Sequence, residues 1–172
     1  MKNFAVASAI LFCVANTLLP ARAETTDHAG IHQVIESFRT AIIQRDKPRF
    51  LSLFLQDSLQ WQAVMGDKSL QAIQQKNPQA IKARPNPNNN PVAFIDGIVQ
   101  KKSSSEEIFS NIQINGDSDV ATACFDYAFL SDGVATNHGK ECWLLVQTEG
   151  GWKITTLAWS VTLDPAPAGG DK

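Results

Sequence analysis

Over residues 111–163 the chain alternates apolar and polar side chains in three runs, interrupted at Asp132-Gly133 and at Glu149-Gly150-Gly151. Strict alternation marks strands with one buried face, and an Asp-Gly pair between two such runs marks a hairpin. The pattern predicts strands over 103–115, 120–131, 134–148 and 152–163, with further turns at Asn115-Gly116-Asp117 and Gly150-Gly151. A twisted antiparallel meander of this kind needs cover for its apolar face. Ile31, Val34, Ile35, Phe38 and Ile42 fall at helical spacing and predict an amphipathic helix over 27–45. Asp46 ends that helix or caps the next element, and Pro48 suits the first turn of a short helix over 48–55. Phe50, Leu51, Phe54 and Leu55 then join the same core, and a short strand over 59–64 carries Trp61. Helices on a curled sheet make a cone with a hollow, and the hollow is where function would sit.

Residues 66–100 form an insertion between the helices and the main sheet. A helix is expected over 68–76, stopped by Asn77-Pro78. The Pro/Asn-rich stretch 84–91 reads as a loop, and 92–100 as a short helix or lid segment carrying Phe94. Long irregular insertions in compact domains are more often functional or mobile than idle.

The ends bound the domain. Lys2, the apolar run 4–19 and Ala21-Arg22-Ala23 have the layout of a cleaved secretory signal, so residues 1–23 are expected to be removed. Cys13 follows the bulky Phe12, which argues against lipid attachment. An exported protein with a single domain over 24–163 and a disordered tail over 164–172 is expected, periplasmic or extracellular. The chain carries 15 basic against 17 acidic residues, and loss of Lys2 and Arg22 makes it more acidic. That sign disfavours nucleic acid and anionic membranes as partners.

Cys124 and Cys142 lie on the two arms of the hairpin. A three-residue loop would set them opposite each other, within disulfide reach. A two-residue turn at Asp132-Gly133 would pair Ala123 with Cys142 and put the sulfurs on opposite faces. Turn chemistry favours the second arrangement and an oxidising compartment the first. No second Cys or His set at ligand spacing supports a metal site, and no glycine-rich phosphate loop or other cofactor motif is present. His28 and His32, four residues apart, lack a third partner and read as solvated surface residues.

Two N-terminal helices, a Trp in the next strand and a meander ending in Glu149-Gly150-Gly151-Trp152-Lys153-Ile154 resemble the nuclear transport factor 2-like (NTF2-like) superfamily. The run Gly116 to Ala123, then Phe125-Asp126-Tyr127-Ala128-Phe129, Asp132-Gly133 and His138-Gly139, is similar to bacterial members of the SnoaL-like and lumazine-binding kinds. The resemblance spans about 31–161. It implies an α+β cone, N-terminal helices packed on a curved antiparallel sheet, commonly as a homodimer. It implies little chemistry, because that superfamily includes isomerases, dehydratases, cyclases and many non-enzymatic domains.

Strand parity with a two-residue turn sorts the side chains. One face takes Phe125, Tyr127, Phe129, His138, Leu144, Val146, Leu157, Trp159 and Val161. The other takes Asp126, Ala128, Glu141, Trp143, Leu145, Ile154 and Thr156. The bulkier first face is assigned to the hollow and the second, with Trp143 and Ile154, to a dimer contact. Tyr127 then lies opposite His138, a candidate acid–base pair, with Trp61, Phe94 and Trp159 as aromatic walls for a ligand. A buried Tyr and His also satisfy each other as plain packing. A desolvated carboxylate in the hollow would suit general-base work, but Asp126 points to the other face. Two readings follow, beside a third in which the domain is an assembly module whose hollow is simply filled by side chains. The chain binds a small apolar or aromatic molecule, or a partner, without catalysis; alternatively it is a cofactor-free isomerase, dehydratase or cyclase using Tyr127 and His138.

Overall fold

The computed structural model describes residues 28–165. The expected signal segment and most of the expected tail lie outside them. Asp164 does not trail off: its backbone N–H donates to the Thr136 carbonyl at 3.0 Å.

Helix α1 spans Ala29–Gln44 and buries Ile31, Val34, Ile35, Phe38, Ala41 and Ile42, the stripe set by its 3.6-residue period. It ends at Arg45, a left-handed residue (φ 56°) whose guanidinium donates to the carbonyls of Lys102 and Ser103. Asp46 caps α2 (Lys47–Leu51) by accepting from the Arg49 N–H, with Pro48 in the first turn. Strand β1 (Gln62–Met65) and α3 (Asp67–Gln74) follow. The Pro/Asn segment is an extended loop leading to α4 (Pro91–Gln100), where the Asn90 side chain accepts from the Ala93 N–H at 2.8 Å. A helix, rather than a lid, therefore carries Phe94.

Strands β2 (Ser105–Gly116), β3 (Val120–Ser131), β4 (Val134–Thr148) and β5 (Gly151–Leu163) form the meander. The sheet order is β1-β5-β4-β3-β2, and β1 runs parallel to β5. The sheet is therefore mixed rather than wholly antiparallel; the long crossover through α3 and α4 separates β1 from the meander and permits either sense.

Three irregularities bend the sheet and set which side chains face inward. In β2 one extra residue lies between Ser110 and Gln113, with Asn111 left-handed at φ 53°. In β4 the turn is the two-residue Asp132-Gly133 with Ser131 paired to Val134, yet Cys124 stands opposite Cys142. Both hold because Thr136 is an extra residue between the Leu130–Ala135 and Phe129–Asn137 pairs. The Cys124–Cys142 disulfide is formed. In β5 Thr155 is extra, between the Leu144–Thr156 and Leu145–Ile154 pairs.

The slip at Thr136 overturns the expected faces of β4, since one residue of register reverses every side chain. Glu141, Trp143 and Leu145 are buried, while His138 and Leu144 are exposed. The second slip, at Thr155, brings both Ile154 and Leu157 into the core. Trp143 and Ile154, expected at a dimer contact, are core residues. Phe38 stands at the centre, its ring 4.8 Å from both Phe50 and Trp143 and 6.0 Å from Phe109.

Candidate functional site

Between the inner face of the sheet and the α1/α4 layer lies a cavity of about 230 Å³. Its aromatic wall comes from separate elements: Phe38 of α1, Trp61 before β1, Phe94 of α4, Phe129 of β3 and Trp159 of β5. Trp61 is 5.5 Å from Phe94 and stands edge-on to Trp159 at 6.3 Å. Such tilted packing is the favoured arrangement of aromatic quadrupoles. Leu157 completes the apolar lining.

The polar part of the wall is Glu107 on β2, Tyr127 on β3, and Asn137 and Glu141 on β4. Glu107 and Glu141 are 4% and 5% exposed, and they are the two buried charged residues among those described. Glu141 accepts a hydrogen bond from the Trp143 indole N–H. The Glu107 side chain makes no hydrogen bond or ion pair within the described residues, while its backbone pairs with Phe129 in the sheet. Burial pushes the Glu141 carboxyl up to about 7, against the opposing pull of the Trp143 N–H. Burial, and then the charge of Glu141, push Glu107 well above the usual carboxylate range. The two carboxyls therefore titrate as a pair, both above the usual carboxylate range. Lys101 borders the cavity, but its side chain is exposed and pairs with neither glutamate.

Tyr127 Oη is 3.0 Å from Asn137 Oδ1 and 3.0 Å from the Ser160 carbonyl, so its one proton serves one acceptor at a time. Burial first, then the charges of Glu107, Glu141 and Asp164, raise its pKa, which keeps the phenol protonated. Among the described residues Trp61 Nε1 is buried without a hydrogen-bond partner.

Trp61, Phe94, Tyr127 and Trp159 thus line one cavity; His138 does not. Its side chain is half exposed on the outer face, and its Nδ1 lies 2.9 Å from Asp164 Oδ1. Gly139, not His138, pairs with Tyr127, because Thr136 moved the register by one. The acid–base pair expected from parity is therefore not assembled. Asp126 faces outward as expected, bound by Lys140 and Asn111. Two other carboxylates, Glu107 and Glu141, occupy the hollow. Glu107 was legible, since it alternates with Ser105 and Phe109 on the inward side of β2; Glu141 was hidden by the bulge. Among the described residues no group of three His, Cys, Asp or Glu could hold a metal ion.

A second, larger opening of about 420 Å³ lies between the start of α1 and the β4–β5 turn. Among the described residues Lys153 is the one ionisable group in its lining, and its ammonium donates to the Ser52 carbonyl. Chemistry is concentrated in the smaller cavity.

No protein-family model and no curated protein matches the chain in sequence. Solved structures do match. A provisional dehydratase of the NTF2-like family from Streptomyces avermitilis superposes with a TM-score of 0.58 at 15% identity, covering 81% of this chain and 98% of that one. An NTF2-like protein from Cytophaga hutchinsonii gives 0.54 at 13% identity over 79% and 98%. The chain has the NTF2-like fold. A provisional scytalone dehydratase from Novosphingobium aromaticivorans shares it, with a TM-score of 0.57 at 12% identity over 78% of this chain and 83% of that one. At these identities the likeness is one of backbone architecture, which by itself carries no site chemistry.

Proposed function

We propose that this NTF2-like chain binds a small organic molecule in the aromatic cavity and moves a proton on it through Glu107 and Glu141, an isomerase- or dehydratase-type reaction without a cofactor. The observation that carries this reading is two buried carboxylates lining one cavity with no basic partner. Leaving such groups in an apolar wall is costly, and strongly raised carboxyl pKa values concentrate at functional sites. A carboxyl titrating near 7 is suited to accept and return a proton at neutral pH. Two structural neighbours bear dehydratase names, which agrees with the reading at the level of fold. Tyr127 and Asn137 would orient the substrate's polar end, and the rings would exclude water.

Solvent-deuterium exchange followed by NMR tests the reading, over a panel of small ketones, hydroxyketones and their amino-substituted analogues. Wild type is expected to exchange or dehydrate at least one member. Glu141→Gln should lower the rate by about 100-fold or more, the usual range for a positioned acid or base, while His138→Ala should leave it unchanged. A folded wild type inert toward the whole panel, or a Glu107→Gln/Glu141→Gln variant as active as wild type, would overturn it.

The proposal includes export. It is supported by the leader-like segment and by the Cys124–Cys142 disulfide, a bond that persists in oxidising compartments.

A further inference from the structure

The cavity's lining is unbalanced. Two glutamates from β2 and β4 face it, Tyr127 from β3 remains neutral, and β5 contributes Trp159 and Leu157 without charge. The helical layer supplies Phe38 and Phe94, and the one cation nearby, Lys101, is exposed and unpaired with either carboxylate. Among the described residues the site thus has two negative groups and aromatic rings, and its one positive group, Lys101, stands exposed at the border without pairing to either carboxylate.

We propose that the cavity selects an organic cation, a small amine or quaternary ammonium whose nitrogen sits among the rings of Trp61, Phe94 and Trp159 and is neutralised by Glu107 and Glu141. The inference rests on the reading that this cavity is the ligand site, and it names the class of molecule. Rings attract a desolvated cation through their quadrupoles, most strongly with Trp, and two of the walls are Trp. A carboxylate without a counter-charge is expensive inside a protein, and burial favours the protonated form of both glutamates. An entering cation supplies the missing charge and releases the protons. An anion would be repelled, and a neutral molecule would leave the carboxyls protonated. The size is consistent: about 230 Å³ is the volume of roughly eight waters, room for a compact ammonium and little more.

The test compares choline with its neutral carbon isostere 3,3-dimethylbutan-1-ol, together with tetramethylammonium and benzylammonium. Tryptophan fluorescence gives affinity, and calorimetry at pH 7 in two buffers of different protonation heat gives proton release. At least one cation is expected to bind, choline about 10-fold or more tighter than the isostere, with protons released. Glu107→Gln/Glu141→Gln should lose both the preference and the release while keeping near-UV circular dichroism. Phe94→Leu, which leaves the carboxylates in place, should weaken cations more than the isostere. Equal or tighter binding of the isostere overturns the inference but leaves a ligand cavity, and the proton-exchange panel then judges the broader reading separately. Failure of every cation to bind folded wild type also overturns it.

Discussion

Two glutamates make the stability of this protein depend on pH in an unusual direction. Most carboxylates in folded proteins are stabilised in their charged form. Glu141 is instead raised from 4.5 to about 7, and Glu107 moves the same way. The folded chain therefore binds more protons than the unfolded chain between those limits. Stability contributed by the protonated carboxyls is fully present below about pH 4.5 and is lost as pH rises through the folded values. Urea unfolding at pH 5 and pH 8 should show wild type weaker at pH 8. Glu107→Gln/Glu141→Gln should remove most of that difference and be the more stable protein at pH 8. A wild type that strengthens from pH 5 to 8 would contradict the burial of this pair. His138 illustrates the opposite case: a residue whose chemistry invites a catalytic role stands half exposed beside Asp164, outside the cavity. Its type was legible and its direction was not, since direction depends on a count of residues around a turn.

At the scale of elements, the extra residue Thr136 does most to decide the site. It reconciles the Asp132-Gly133 turn with the Cys124–Cys142 pairing and points Glu141 inward. Deleting Thr136 should force β4 to choose between its turn and its buried face. The expected result is loss of the native near-UV circular dichroism, since Trp143 and Leu145 would otherwise be turned to solvent. A native-like spectrum would show that the bulge is dispensable. Gly139 imposes a second constraint, because a Cβ there would stand 2.1 Å from the Ser160 carbonyl oxygen. Gly139→Ala should cost at least about 1–3 kcal/mol in urea unfolding, the range for overpacking. The disulfide closes a separation of 18 residues, and its reduction should lower stability by about 2–4 kcal/mol. An unchanged urea midpoint with and without reductant would count against that. Element identities were largely legible: α1, α2, the Pro/Asn loop and the four meander strands follow from periodicity, breakers and turn residues, while 92–100 was open between a helix and a lid. Bulges were not, because one inserted residue changes neither composition nor the look of the alternation.

At the scale of the whole molecule, the cavity belongs to no single element. Phe38, Trp61, Phe94, Glu107, Glu141 and Trp159 come from six separate stretches of chain and meet only because the sheet curls around α1 and α4. The NTF2-like architecture supplies the hollow, and this chain's own side chains make it acidic and aromatic. The sequence by itself determined the apolar faces of the helices and the strands of the meander, since these follow from local periods of 3.6 and 2 residues. Tertiary structure alone decided the parallel pairing of β1 with β5, the inward turn of Glu141 and the outward turn of His138. Those depend on register between strands, where a single residue's slip is invisible along the chain yet reverses what the cavity holds.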